Sequence, residues 1–281
     1  MLPWSVCGRI VASGTPCLRQ PVFASLGGAC RSIVKCSLEK VSADTPVHFS
    51  RCGIAQLHRA GKKGKEYMLL HKSTLYVCTV DEHGVPSFPV SSKVSPTMNS
   101  NARLHCINGE QYYTIGGTSF FKTKLLTHHL EIPEGDNVLS GGAEWRTTQL
   151  AMIGENLQNQ VQVTVGDKLV VVGETYYDEI NENPPGVYVY NHEEDRWTKL
   201  ECGGQPPTER TDLTAFQWQG KLHLLAPAWA GHYDMHVLDL ESCEWSKVAL
   251  SLGEGVQSPP LVRTGATVNV LGDRLVMFGG T

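Results

Sequence analysis

Four stretches of this chain repeat one pattern at nearly even spacing. Asn101–Gly117, Gln160–Gly173, Thr214–Ala226 and Thr267–Gly280 each run as an apolar segment, a short break at a glycine, and a second apolar segment. That is the signature of a β-hairpin. The breaks fall at Gly109, Gly166, Gly220 and Gly272, which are 57, 54 and 52 residues apart. A hairpin that returns on this interval cannot bury its apolar face alone, so successive units must stack.

A second series keeps the same interval. Arg51, Arg103, Arg210 and Arg263 precede hairpins at separations of 52, 107 and 53 residues, and the double step leaves one unmarked start near residue 156. Five repeats therefore start near 51, 103, 156, 210 and 263. The earliest hairpin turns at Gly61–Gly64, with Tyr67–Leu70 in its second strand. Each unit also has a second half. Val187–Asn191 is followed by Trp197 and Leu200, Met235–Asp239 by Trp245 and Val248, and Trp145 holds the matching place behind a longer loop. Helical periodicity is sustained nowhere. Four short strands in about 53 residues, repeated, predict an all-β chain of propeller blades.

The unit resembles the kelch repeat, which runs from a Pro-x-x-Arg start through a hairpin ending in a glycine pair to a Trp followed by an apolar residue. Pro207-x-x-Arg210 leads here to Trp245, and Pro260-x-x-Arg263 leads to Gly279-Gly280. The resemblance covers roughly residues 50–281 and departs from the family pattern at Gly173-Glu174 and Ala226-Pro227, where one or both glycines are missing. It implies a kelch-like β-propeller of about five to six four-stranded blades over residues 29–281, preceded by a segment, 1–28, that is either transit-like or a degenerate strand. The chain stops at Thr281 just after a hairpin. The last blade is then either incomplete or closed by N-terminal strands, for which 30–49 is the favoured stretch. Pro21–Gly28 also reads as a strand ending in a glycine pair.

Composition narrows the function classes. The formal net charge is −4, which argues against a nucleic-acid binder driven by bulk electrostatics. No run approaches the apolar length of a membrane-crossing helix. The nine cysteines are odd in number, irregular in spacing and free of CxxC pairs, which predicts reduced, largely buried thiols in the cytoplasm. The absence of Asp and Glu before Glu39 keeps a mitochondrial transit segment open as the alternative.

No nucleophile, phosphate-loop or zinc-hydrolase motif occurs, and neither a catalytic residue nor a cofactor is expected. His232, Asp234 and His236 alternate along one strand, a pattern that reads as a half-exposed strand and not as a metal site. Binding chemistry gathers instead in the loops that follow each second strand, which carry Phe120 and Phe121, Tyr176 and Tyr177, and Trp229 and Tyr233. Aromatics on loops held by a rigid scaffold suit a protein interface. In kelch-like ubiquitin-ligase adaptors, arginines near the repeat start line a pocket for acidic peptides. The resemblance therefore implies that Arg51, Arg103, Arg210 and Arg263 stand beside those loops. The expected function is a protein-interaction scaffold with an unidentified protein partner. The alternatives are a propeller enzyme acting on a sugar or small molecule, or a mitochondrial assembly factor.

Overall fold

In the computed structural model the described residues are 22–25, 53–57, 65–71, 74–80, 86–93, 103–107, 111–117, 125–131, 144–148, 157–175, 184–209, 211–228, 231–248, 262, 266–271 and 274–278. All the regular structure among them is β. The strands fall into two compact units, one holding β2–β9 and the other β1 with β10–β20. None of the described residues forms a helix long and apolar enough to cross a membrane.

The first unit contains two antiparallel four-stranded sheets. One runs in the order β2 (Gly53–Leu57), β3 (Lys65–His71), β4 (Thr74–Val80), β5 (Pro86–Lys93). The next repeats that order with β6 (Arg103–Ile107), β7 (Gln111–Gly117), β8 (Leu125–Glu131) and β9 (Glu144–Thr148). The first strands, β2 and β6, lie side by side.

The second unit continues the series. Its first sheet orders β10 (Leu157–Val165), β11 (Lys168–Thr175), β12 (Gly186–Asn191) and β13 (Arg196–Leu200). Its second sheet has β15 (Thr214–Trp218), β16 (Lys221–Pro227), β17 (Tyr233–Asp239) and β18 (Glu244–Val248), with the two-residue β14 (Gly203–Gly204) added parallel to β18. Its third sheet orders β1 (Val22–Ser25), β20 (Arg274–Phe278) and β19 (Thr267–Leu271). Here too β10 neighbours β15, and β15 neighbours β19. Five sheets thus begin at 53, 103, 157, 214 and 267, close to the repeat starts read from the sequence.

The strand added to the last hairpin corrects one expectation. β20 takes Val22–Ser25 as its outer neighbour, in register from Val22 opposite Met277 to Ser25 opposite Arg274. The 30–49 stretch expected there lies outside the described residues. Which N-terminal stretch pairs with β20 is a non-local choice that local pattern does not encode.

Local chemistry explains the repeated geometry. In the hairpin of β15 and β16, Trp218 pairs with Lys221 across a two-residue turn. Gln219 and Gly220 both have positive φ there, 51° and 74°, as a turn matched to strand twist requires. The turn from third to fourth strand is built identically in two sheets. Asn191 Oδ1 accepts from the amides of Glu193 and Glu194 at 3.0 and 3.3 Å, and Asp239 Oδ1 accepts from those of Glu241 and Ser242 at 2.9 and 3.3 Å. Both turns end in a left-handed residue, Asp195 at φ 50° and Cys243 at φ 56°. Lys221 donates to Asp239 at 2.7 Å and, with the two amides, holds that carboxyl below the usual carboxylate range.

Register makes the tryptophans equivalent. Trp145, Trp197 and Trp245 each occupy the second position of a fourth strand, opposite Leu130, Tyr190 and Leu238 respectively. Trp197 and Trp245 are buried and Trp145 is half-buried. Around β15–β18 the core alternates by strand parity. Leu222, Leu224, Ala226, Leu238 and Trp245 join Val161, Val170, Val172, Val187 and Leu213 on one face. Phe216, Leu225, Tyr233 and Met235 join Val268, Leu275 and Met277 on the other. Because both faces are covered, the middle strands read as near-continuous apolar runs.

Candidate interaction surface

In an antiparallel hairpin the start of the first strand and the end of the second lie at one end of the sheet. The registers locate that end. Arg103 opens β6 opposite Ile115, two residues before β7 ends at Gly117. Leu157 opens β10 opposite Thr175, the residue before Tyr176. Thr214 opens β15 opposite Leu225, and β16 ends at Pro227. Each repeat therefore brings its lead-in and the loop after its second strand to the same end of its own sheet.

Between two sheets of the second unit this proximity is a direct contact. The β16–β17 loop is tightened by two hydrogen bonds, Ala228 N–H to the His232 carbonyl at 2.7 Å and Gly231 N–H to the Ala228 carbonyl at 2.9 Å. Gly231 has φ 77°, a conformation that favours glycine. Val262 N–H then donates to the Gly231 carbonyl at 3.1 Å. The residue next to Arg263, in the lead-in to β19, is thus hydrogen-bonded to the loop that carries Trp229. Val262 and Ala266 also pack against the core beneath that loop.

Of the residues singled out from sequence, Arg103 sits at the lead-in end of β6. Arg51, Arg210, Arg263, Phe120, Phe121, Tyr176, Tyr177 and Trp229 lie outside the described residues. Tyr233 departs from the expectation of an exposed aromatic. It is 3% exposed, opens β17 opposite Pro227, and packs against the cluster of Phe216, Met235 and Val268. The loop ends one residue earlier than its sequence suggests, and the Tyr233 ring is part of the core.

Of the alternating His232, Asp234 and His236, the last two side chains are engaged in structural bonds. Lys247 donates to Asp234 Oδ2 at 2.7 Å, and His236 Nδ1 donates to the Gln205 carbonyl at 2.9 Å. Among the described residues no group of three ligating side chains could hold a metal ion.

Other histidines are buried within sheets. His223 stacks on Phe216 at 5.2 Å between ring centroids and meets the Trp218 ring edge-on at 5.5 Å. Burial pushes it below the ordinary histidine value. The Lys221 charge adds to that shift, and a hydrogen bond with the Lys221 carbonyl opposes it. His128, on β8, is lowered by burial alone. A histidine whose folded-state value is depressed takes up its proton more readily in the unfolded chain. Its stabilising contribution is present above the unfolded value of about 6.5 and is lost as pH falls toward the folded value. Melting temperature is therefore expected to drop as pH is lowered from about 7.5 to about 5, and His223→Gln is expected to flatten that slope. Thermal scans across the range check this, and an unchanged slope in the variant would exclude His223 as a contributor.

No family model matches this chain. Among curated proteins it is similar to Tip elongation aberrant protein 1 of Schizosaccharomyces pombe, with 24% identity over 197 residues, covering 68% of this chain and 16% of that protein. It is also similar to Acyl-CoA-binding domain-containing protein 5 of Arabidopsis thaliana, with 37% identity over 82 residues, covering 28% of this chain and 12% of that protein. The chain thus spans less than a fifth of the length of either relative. Among solved structures it is similar to AofleA from Arthrobotrys oligospora at a TM-score of 0.41 and 11% identity, covering 72% of this chain and 57% of that one.

Proposed function

We propose that the chain is a kelch-type β-propeller that serves as a protein-interaction scaffold, binding a partner protein at the lead-in ends of its sheets. The hydrogen bond from Val262 to Gly231 carries this reading, because it ties the start of one repeat to the second-strand loop of the repeat before it. Five successive sheets with neighbouring first strands within each unit support the propeller. The tryptophan at the second position of the fourth strand, recurring as Trp145, Trp197 and Trp245, supports the kelch type.

In this reading Arg51, Arg103, Arg210 and Arg263 supply guanidinium forks. Phe120, Phe121, Tyr176, Tyr177 and Trp229 supply aromatic anchors. That is the composition enriched where interfaces hold most of their binding energy. The acidic stretch Asp178–Glu182 follows Tyr177 directly, so the partner surface carries both signs of charge.

The test begins with affinity capture from the native cell extract, followed by binding measurements with the purified partner. Trp229→Ala and Tyr177→Ala are each expected to weaken binding by about 1–2 kcal/mol with little change in melting temperature. Lys221→Ala lies at the opposite end of its sheet and should leave affinity unchanged, since its exposed pair with Asp239 contributes little. Full affinity in both aromatic variants alongside a loss in Lys221→Ala would place binding at the other end.

A further inference from the structure

The short parallel bridge between β14 and β18 brings together two cysteines that are 41 residues apart in sequence. Gly203 pairs with Glu244 and Gly204 with Trp245. The bridge is held by Gly203 N–H to the Cys243 carbonyl at 2.9 Å and Gln205 N–H to the Trp245 carbonyl at 2.8 Å. Gly204 is the glycine so close an approach needs, since the Glu244 carboxylate that a Cβ on Gly203 would meet can swing aside. A Cβ on Gly203 would lie 2.6 Å from Glu244 Oε1, and one on Gly204, where φ is 84°, would lie 2.1 Å from the Trp245 carbonyl oxygen. Gly203, the chain neighbour of Cys202, thus bonds directly to Cys243, which brings the two cysteine backbones close at the start of the bridge.

Both thiols are half-buried and reduced. Cys202 Sγ points to the Leu200 carbonyl at 3.9 Å, and Cys243 Sγ to the Leu240 carbonyl at 3.8 Å. Cys202 and Leu240 border the same apolar cluster. Neighbouring strands are about 4.8 Å apart, inside the roughly 4.4–6.8 Å window of Cα separations that a disulfide spans.

We infer that Cys202 and Cys243 form a reversible disulfide that latches the segment leaving β13 onto β18. The chemistry is exchange with a low-molecular-mass disulfide, for which oxidised glutathione is the probe. One protein thiolate attacks that disulfide, forming a mixed disulfide and releasing one glutathione thiol. The second cysteine loses its proton to solvent and displaces the other glutathione. Two protein thiols and one glutathione disulfide become one protein disulfide and two glutathione thiols.

Burial, reinforced by Cys243, Glu201 and Glu244, pushes the Cys202 thiol up to about 11. The latch therefore closes faster as pH rises. Its closing joins the exit of the β10–β13 sheet to the outer strand of the following sheet.

The experiment treats the full, folded chain with oxidised glutathione at neutral and mildly alkaline pH, blocks free thiols, and maps tryptic peptides. Cleavage at Lys199, Arg210, Lys221 and Lys247 puts the two cysteines on separate peptides, 200–210 and 222–247. The expected product is those two peptides linked, forming faster at higher pH, reversed by dithiothreitol, and absent from both Cys202→Ser and Cys243→Ser. The oxidised chain should also melt at a higher temperature than the reduced one. Three results each overturn the inference: Cys202 and Cys243 recovered as separate mixed disulfides, either cysteine linked to a different one, or both recovered as free thiols at the higher pH.

Discussion

Replacing Trp245 with alanine is expected to cost about 3–5 kcal/mol of folding stability, the range for truncating a buried aromatic. Since a domain's whole margin is only about 5–15 kcal/mol, this change alone brings the fold near its limit. Trp245 is 3% exposed and lies in the cluster shared by the β10–β13 and β15–β18 sheets, touching the group that includes Val172, Val187, Leu213 and Leu224. Truncation would leave a cavity between two sheets whose backbones are pinned by their own ladders and cannot collapse to fill it. Trp197 occupies the same register position in the preceding sheet, with its ring 5.4 Å from that of Tyr190. It should behave alike. Trp245→Phe retains part of the buried area and is expected to lose less than half as much, which keeps the test usable if the alanine variant fails to fold. Denaturant unfolding of the four proteins measures these differences. Melting curves unchanged in both alanine variants would show that register equivalence carries no energetic weight here.

The same residues show why so much of the fold is legible in the sequence. A tryptophan six residues beyond an Asn or Asp records two local constraints. One is an Asx side chain capping its own turn, and the other is a fourth strand whose single buried position needs a large apolar ring. Both act within one turn of chain, so the spacing survives as a pattern. The hairpins are legible for the same reason, because Gly220 supplies a conformation that other residues rarely adopt.

What the sequence leaves unread is non-local or too short to have a period. The two residues of β14 form a parallel bridge that no alternation can announce. The approach of Gly203 to the Cys243 carbonyl follows from that bridge and from no spacing rule. Tyr233 reads as a loop residue because Pro227–Tyr233 is rich in small residues and aromatics, whereas its pairing with Pro227 extends β17 to the loop's edge. For the proposed interaction surface, the sequence offers candidate arginines and aromatics, of which Arg103 lies at the lead-in end of β6 and Tyr233 is part of the core. The link between Val262 and Gly231 joins separate repeats and became visible only in the folded chain.

The second large effect concerns β1. Removing residues 1–26 should destabilise the second unit and drive the chain to associate. β20 is the middle strand of its sheet only because Val22–Ser25 covers its outer side. Without β1, the polar backbone groups of Arg274–Met277 that it pairs would turn outward as an open edge, a ready template for another chain. The loss also reaches the core, because Val268, Leu275 and Met277 are each under 10% exposed and belong to the cluster that holds Phe216 and Tyr233. A milder variant separates strand pairing from simple loss of residues. Ala24 pairs with Leu275, and Ala24→Pro removes a donor and places a ring within the four-residue ladder while leaving the chain length intact. Both variants are expected to show lower melting temperatures, faster hydrogen exchange at 274–278, and larger species by light scattering. A truncated chain that remains monomeric, with exchange at 274–278 as slow as in the full chain, would show that β1 is dispensable to this edge.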